Sequence, residues 1–303
     1  MRTRPRYLLF ISCLVIAALG ATLNSIKIKE LLYPWIYPLE VATQLNVLDQ
    51  RMLDKGKHVL SQQKMIICGI SRDNATDFWT MRRHIEHLGN QCNDYKVVIV
   101  ENDSKDGTKD LLKHWADHNT HVTIISKDFH NKKRPSIQFL ADVRNLYIDE
   151  INQPEYDDFN VLIVIDMDMS YGFDIRGIYH SFATWESWDA IASNGISNQK
   201  GEMYDAFAFR NSEFPFAHYD KPDTYWSDII PQIQRVYPVN SPFVAVDSAF
   251  GGLTVYKRNT LKGCRYNSIK GDCEHIEFHK CLRKNGGKMY MNPNQLIRYS
   301  HYN

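Results

Sequence analysis

From residue 63 onward the chain alternates short apolar runs with longer stretches of helical period. Met65-Ile-Ile-Cys-Gly-Ile70, Lys96-Val-Val-Ile-Val100, His121 to Ile125 and Val161-Leu-Ile-Val-Ile165 are short, rich in β-branched residues and bounded by turn residues. Such runs predict strands buried on both faces of a parallel sheet. Between them, Thr80 to Leu88, Thr108 to His118 and Ile137 to Ile151 carry apolar residues at helical spacing. The alternation predicts right-handed crossovers and a mostly parallel α/β sheet flanked by helices. Asp189 to Ser193, Phe250 to Val255 and Lys288 to Met291 predict further strands. Residues 194–242 are rich in Pro, Trp, Tyr and Asp and weak in periodicity, which predicts long loops of the kind that carry specificity. The chain has no internal repeat and no low-complexity tract.

The run at 161–165 ends in Asp166-Met-Asp168. Carboxylates at i and i+2 lie on one side of an extended backbone. At the carboxyl end of a buried strand they occupy the place where open α/β sheets bind ligands. Two adjacent like charges call for a cation between them, and a hard divalent ion with oxygen ligands suits that role. A solvated acidic turn is the alternative that the tripeptide leaves open. A second polar turn, Glu101-Asn-Asp-Ser-Lys-Asp-Gly-Thr108, joins a strand to a helix. Its amides and short side chains can hold a nucleoside, or Asp106 and Thr108 can simply cap the helix.

Composition changes this picture little. The 303 residues are 44% apolar and 23% charged with a net charge of +1, so no basic field argues for nucleic acid. The N-terminus changes it more. Three arginines within residues 1–6 precede an uncharged stretch, residues 7–23, just long enough to cross a thin bilayer. The flanking charge predicts residues 1–6 as a cytoplasmic tail, 7–23 as a signal anchor, 24–62 as a stem and 63–303 as the catalytic domain. The expectation is a single-pass type II protein with its catalytic domain in the Golgi lumen. A cleaved signal peptide with a secreted chain, or a bacterial inner-membrane location, are the alternatives. Of six cysteines, Cys264, Cys273 and Cys281 cluster, which suits one disulfide there in an oxidising compartment. Asn74-Ala-Thr76 and Asn102-Asp-Ser104 match glycosylation acceptors, and the second falls in the expected ligand loop, where a glycan would obstruct binding.

Taken together, these segments resemble the GT-A-fold glycosyltransferases that use nucleotide sugars. Residues 101–108 are similar to their D-N-x-S-x-D-G-T turn. Asp166-Met-Asp168 is similar to their DxD motif, and Val143-Arg-Asn145 to their Ala-Arg-Asn signature. Asp247-Ser-Ala-Phe-Gly-Gly-Leu253 resembles the glycine-containing segment before their acceptor side. Glu274-His275-Ile-Glu277-Phe278, with Leu282 and Gly286, is similar to E-D-x-D-F-x-x-x-L-x-x-x-G of their catalytic helix. The segment Tyr204 to Arg210 loosely resembles membrane-anchored relatives of fungal capsule mannosyltransferases. The resemblance covers residues 63–303. It implies transfer of a sugar from a UDP- or GDP-sugar to a glycan or glycoconjugate hydroxyl, with Mn²⁺ or Mg²⁺ as cofactor. It implies a metal held by Asp166, Asp168 and His301, and donor contacts from Asp73, Glu101, Asp103, Arg144, Asp166 and Asp168. Where the family pattern has its second acid this chain has His275, so the resemblance leaves the base as Glu274 or His275, or absent in a retaining reaction. Two other functions compete. A haloacid-dehalogenase-like phosphatase would use Asp166 as nucleophile and Asp168 as acid/base, and a non-catalytic sugar-binding module would need neither.

Overall fold

The computed structural model describes residues 26–37, 39, 43–130, 136–197 and 201–299. Helix α1 (Ile26–Ile36) belongs to a separate N-terminal unit, and the rest forms one compact unit from Leu39 onward. The elements of that unit follow in order: α2 (Gln50–Leu60), β1 (Lys64–Ser71), α3 (Phe78–Gly89), β2 (Asp94–Glu101), α4 (Thr108–His118), β3 (Val122–Ser126), α5 (Ile137–Ile151), β4 (Val161–Asp166), α6 (Ile175–Phe182), β5 (Ala190–Ser197), α7 (Ile230–Ile233), β6 (Val244–Ala245), β7 (Leu253–Lys257), α8 (Glu274–Lys284) and β8 (Met289–Tyr299).

These strands form one sheet in the order β3-β2-β1-β4-β7-β5-β8-β6. Strands β1 to β4 are parallel, whereas β7 runs antiparallel between β4 and β5. Strand β8 pairs parallel with β5 and antiparallel with β6. The mostly parallel α/β expectation therefore holds for the first half and gives way to a mixed sheet in the second. Every residue of β4 from Val161 to Ile165 is fully buried, because helices cover both faces. On one face Ile66, Val98, Val100, Leu162 and Val164 pack with Ala141, Val143 and Tyr147 of α5 and with Phe278 and Leu282 of α8. The chain leaves β1 toward β2 and β3, then returns to lay β4 on the other side of β1. That reversal opens a crevice at the carboxyl ends of β1 and β4.

Two elements depart from expectation. Strand β8 continues past Asn292-Pro293 to Tyr299, because its pairing with β5 shifts register between Ser193 and Asn194 and so bypasses residues 293–295. A bulge is where a strand tolerates a proline. The segment Gln50–Leu60, within the expected stem, packs as a helix on α6. A Cβ at Gly56 would lie 1.7 Å from the Tyr179 carbonyl oxygen, so the two helices touch backbone to backbone there. Among the cysteines, Cys264 and Cys281 form a disulfide, the pair coming from the cluster where a bridge was expected.

The expected localisation is corrected here. Among the described residues no helix is long and apolar enough to cross a membrane. Residues 7–23, on which the span of a type II Golgi protein rested, lie outside the described residues.

Candidate active site at the tip of the fourth strand

Strand β4 delivers Asp166 to the mouth of the crevice, where its amide donates to the Gly252 carbonyl at 2.9 Å. Met167 turns inward and is buried, so Asp166 stands partly exposed and Asp168 exposed, two residues apart. Behind them lies Arg144 of α5, itself buried. Its Nε donates to Glu274 Oε1 at 2.9 Å, and its Nη2 lies 3.5 Å from Asp166 Oδ1. Its guanidinium also sits over the rings of Phe250 and Tyr266, at 5.3 and 5.8 Å. Burial opposes the cation, but Tyr147, Glu274 and Asp166 together hold Arg144 firmly protonated. Its Nη1 has no hydrogen-bond partner. Arg144 is thus a buried strut between the acid at the strand tip and the acid that opens α8.

The two candidate bases differ. Glu274 is buried, with one oxygen taken by Arg144 and the other 3.8 Å from Cys273 Sγ. His275 is buried as well, stacked on Phe250 with ring centroids 4.0 Å apart and edge-on to Tyr266. Neither of its ring nitrogens has a hydrogen-bond partner. Burial, then the charge of Arg144, pull its pKa well below the usual imidazole value. An imidazole so placed stays neutral and suits packing better than proton transfer.

On the other side of the crevice the loops after β1 and β2 brace one another. Asp73 Oδ1 accepts from the Lys105 amide at 2.7 Å, and the Asp73 amide donates to Ser104 Oγ at 3.1 Å. Asp106 Oδ2 accepts from the Ala75 amide and Thr108 Oγ1 from the Asn74 amide, at 2.9 and 2.8 Å. Glu101 is fully buried, holding the Ser104 amide at 3.0 Å and the Ser126 hydroxyl. Asp103 Oδ1 accepts from the amides of Phe129 and His130, at 2.9 and 2.8 Å. Asp73, Glu101 and Asp103 therefore serve as loop braces. Asn74 and Asn102, which open the two glycosylation patterns, are both buried.

The structure thus gathers Asp166, Asp168, Arg144, Glu274 and His275 at one place and sets Asp73, Glu101 and Asp103 across the crevice. His301 lies outside the described residues, and among those described no group of three His, Cys, Asp or Glu side chains is arranged to hold a metal. The donor set nonetheless fits one: two carboxylates at an open strand end supply hard oxygens, and a diphosphate could complete the shell. One acid in this region escapes sequence reasoning. Asp205, in the long loop after β5, accepts from the Gly251 amide at 3.0 Å, next to the glycine whose carbonyl receives the Asp166 amide. No periodicity marks it, and its partner lies 46 residues away.

No protein-family model matches the chain, and no curated protein matches it in sequence. Solved structures similar to it include S. aureus TarS 1-349 in complex with UDP-GlcNAc, at TM-score 0.46 and 12% identity, covering 80% of this chain and 59% of that one. They include the mannosyltransferase PcManGT from Pyrobaculum calidifontis in complex with GDP-Man and Mn²⁺, at TM-score 0.47 and 12% identity, covering 94% of this chain and 67% of that one. GalNAc-T7 with UDP, GalNAc and Mn²⁺ is similar at TM-score 0.46 and 13% identity, covering 79% of this chain and 44% of that one. These neighbours are GT-A-type glycosyltransferases.

Proposed function

We propose that this chain transfers a sugar from a nucleotide-diphosphate sugar to an acceptor hydroxyl, with a divalent metal at the donor. The observation that carries the reading is the pair Asp166 and Asp168 at the carboxyl end of β4, beside the reversal in strand order. A diphosphate and two carboxylates share a site only with a cation between them. Asp166 and Asp168 would hold that ion, Mn²⁺ or Mg²⁺, which offsets charge on the departing diphosphate. The protein's own part is positional. Arg144 fixes Asp166 from behind, and the braced loops after β1 and β2 wall the side where a nucleoside would lie.

Thermal unfolding with Mn²⁺, with UDP or GDP, and with each nucleotide plus metal tests the reading. A transferase is stabilised by metal and nucleotide together, by about 2.7 kcal/mol at a hundredfold excess over Kd. Asp168→Asn is expected to remove that stabilisation and sugar transfer while leaving the unfolding midpoint without ligand unchanged. Full transfer by Asp168→Asn, or by wild type in excess chelator, overturns it.

A further inference from the structure

The long connection between β5 and β6 brings one carboxylate back to the turn that holds the backbone of Asp166. Asp205 opens the short turn Ala206–Ala208, which packs against α8. Its Oδ2 holds the Gly251 amide at 3.0 Å. Gly251 has φ +64, and a Cβ there would lie 2.1 Å from the Ser193 carbonyl oxygen, so only glycine fits the turn that presents its amide to Asp205. The next residue, Gly252, receives the Asp166 amide. Asp205 and Asp166 therefore flank the same two-glycine turn. Asp205 is half-buried as a residue, with its carboxyl turned inward and free of any arginine contact among the described residues, whereas Glu274 is buried and committed to Arg144.

Building on the transferase reading, we propose that Asp205 is the group that takes the proton from the acceptor hydroxyl, and that Glu274 is a positioning residue for Arg144. In the step, the acceptor O–H proton passes to the Asp205 carboxylate as the oxygen bonds to the anomeric carbon of the donor. The bond from that carbon to the diphosphate oxygen breaks, and its electron pair leaves on the nucleoside diphosphate. Asp205 is suited to this electrostatically as well. Burial raises its pKa above the usual carboxylate value against the opposing hydrogen bond from the Gly251 amide, and the negative charge of Glu274 adds to the rise, which makes it a stronger base than an ordinary carboxylate. The charged and titratable groups around it are Glu274, Arg144 and the Cys273 thiol.

Asp205→Asn, Asp205→Glu and Glu274→Gln in the full chain separate a chemical role from a structural one. Asparagine keeps an oxygen for the Gly251 amide but cannot take a proton. Glutamate keeps the base but disturbs the hydrogen bond. Each variant is assayed for nucleoside diphosphate release from GDP-mannose and UDP-N-acetylglucosamine in Mn²⁺, with and without methyl glycosides as acceptors, and for stabilisation by Mn²⁺ plus GDP or UDP. The proposal expects Asp205→Asn to lose kcat on the order of a hundredfold to ten-thousandfold, to keep the stabilisation, and to lose the fall in kcat/KM at acid pH. It expects Asp205→Glu to retain more activity than Asp205→Asn. An Asp205→Asn variant close to wild type while Asp205→Glu fails makes Asp205 structural and overturns the proposal. Loss of the acid limb in Glu274→Gln alone overturns it also. If wild type shows no metal-dependent nucleotide stabilisation, the transferase reading itself falls, and this proposal with it.

Discussion

Residues 64–166 and residues 167–299 build the two flanks of one sheet by different means. In the first, four parallel strands alternate with helices, and the loops at their carboxyl ends are held by side chains that accept from backbone amides. Asp73, Glu101, Asp103, Asp106 and Thr108 all bond main-chain N–H groups this way. In the second, the strands are mixed and the connections long, and many of the ties run from side chain to side chain. Ser248, His279 and Tyr256 form one buried chain, with both His279 contacts at 2.8 Å. Arg210 meets Asp272 at 2.8 Å, and Asn292 meets Ser181 at 2.8 Å. The contrast is between a scaffold whose loops are tied by side chains to main-chain amides and one whose long connections are tied side chain to side chain. Buried polar networks of the second kind fix one arrangement when satisfied and are costly when broken.

Arg144 is where the two flanks meet, since it comes from α5 and its closest partner, Glu274, opens α8. The largest effect is expected here. Arg144→Met should destabilise the fold by roughly 3–5 kcal/mol, because it leaves Glu274 buried beside Cys273 without a counter-charge. The double variant Arg144→Met with Glu274→Met should recover much of that loss, since neither charge is then stranded. Urea unfolding measures both. A single variant within about 1 kcal/mol of wild type would show that the flanks are not joined through this pair.

The disulfide sharpens the comparison from the second side. Cys264 and Cys281 stand 17 residues apart and tie the segment before α8 to the helix. Closing a loop of that size stabilises by about 3 kcal/mol. Mild reduction should lower stability by about that amount and speed amide exchange in α8 and β8, leaving β1 to β3 as slow as before. Uniform acceleration across the sheet would mean that the two flanks unfold as one unit.

The same contrast explains what could be read from the sequence. Helices α4 and α5 fall where their periodicity predicts, Thr108–His118 and Ile137–Ile151, because Gly107 and Ser136 mark their starts. Asp166 and Asp168 are legible since strand period and burial are local properties. Beyond residue 189 the reading fails wherever a long-range contact decides. Strand β8 runs through Pro293 because residues 293–295 bulge out of its pairing with β5, and nothing near Pro293 says so. The pairing of Arg144 with Glu274 spans 130 positions. Asp205 is prominent only once the Gly251 turn has been placed beside it.

The smallest expected effect is a pH dependence confined to the second flank. His279 is fully buried, with Nδ1 on Ser248 Oγ and Nε2 on Tyr256 Oη. A neutral imidazole donates from one nitrogen and accepts at the other, so it satisfies both hydroxyls, and a second ring proton would remove the acceptor. Burial, with Arg283 adding to it, pulls the His279 pKa down to about 3. Between that value and about 6.5 the unfolded chain binds the proton and the folded chain does not, so stability rises with pH across this window. The contribution is fully present above the unfolded value and is lost as pH falls through the window, at about 1.4 kcal/mol per pH unit. Moving from neutral pH to about pH 5 should therefore cost roughly 2 kcal/mol through His279, and His275, shifted the same way, adds to it. His279→Gln should show a shallower loss between the two pH values, whatever its stability at neutral pH. Equal slopes for variant and wild type in urea unfolding would move the acid sensitivity elsewhere and remove this distinction between the flanks.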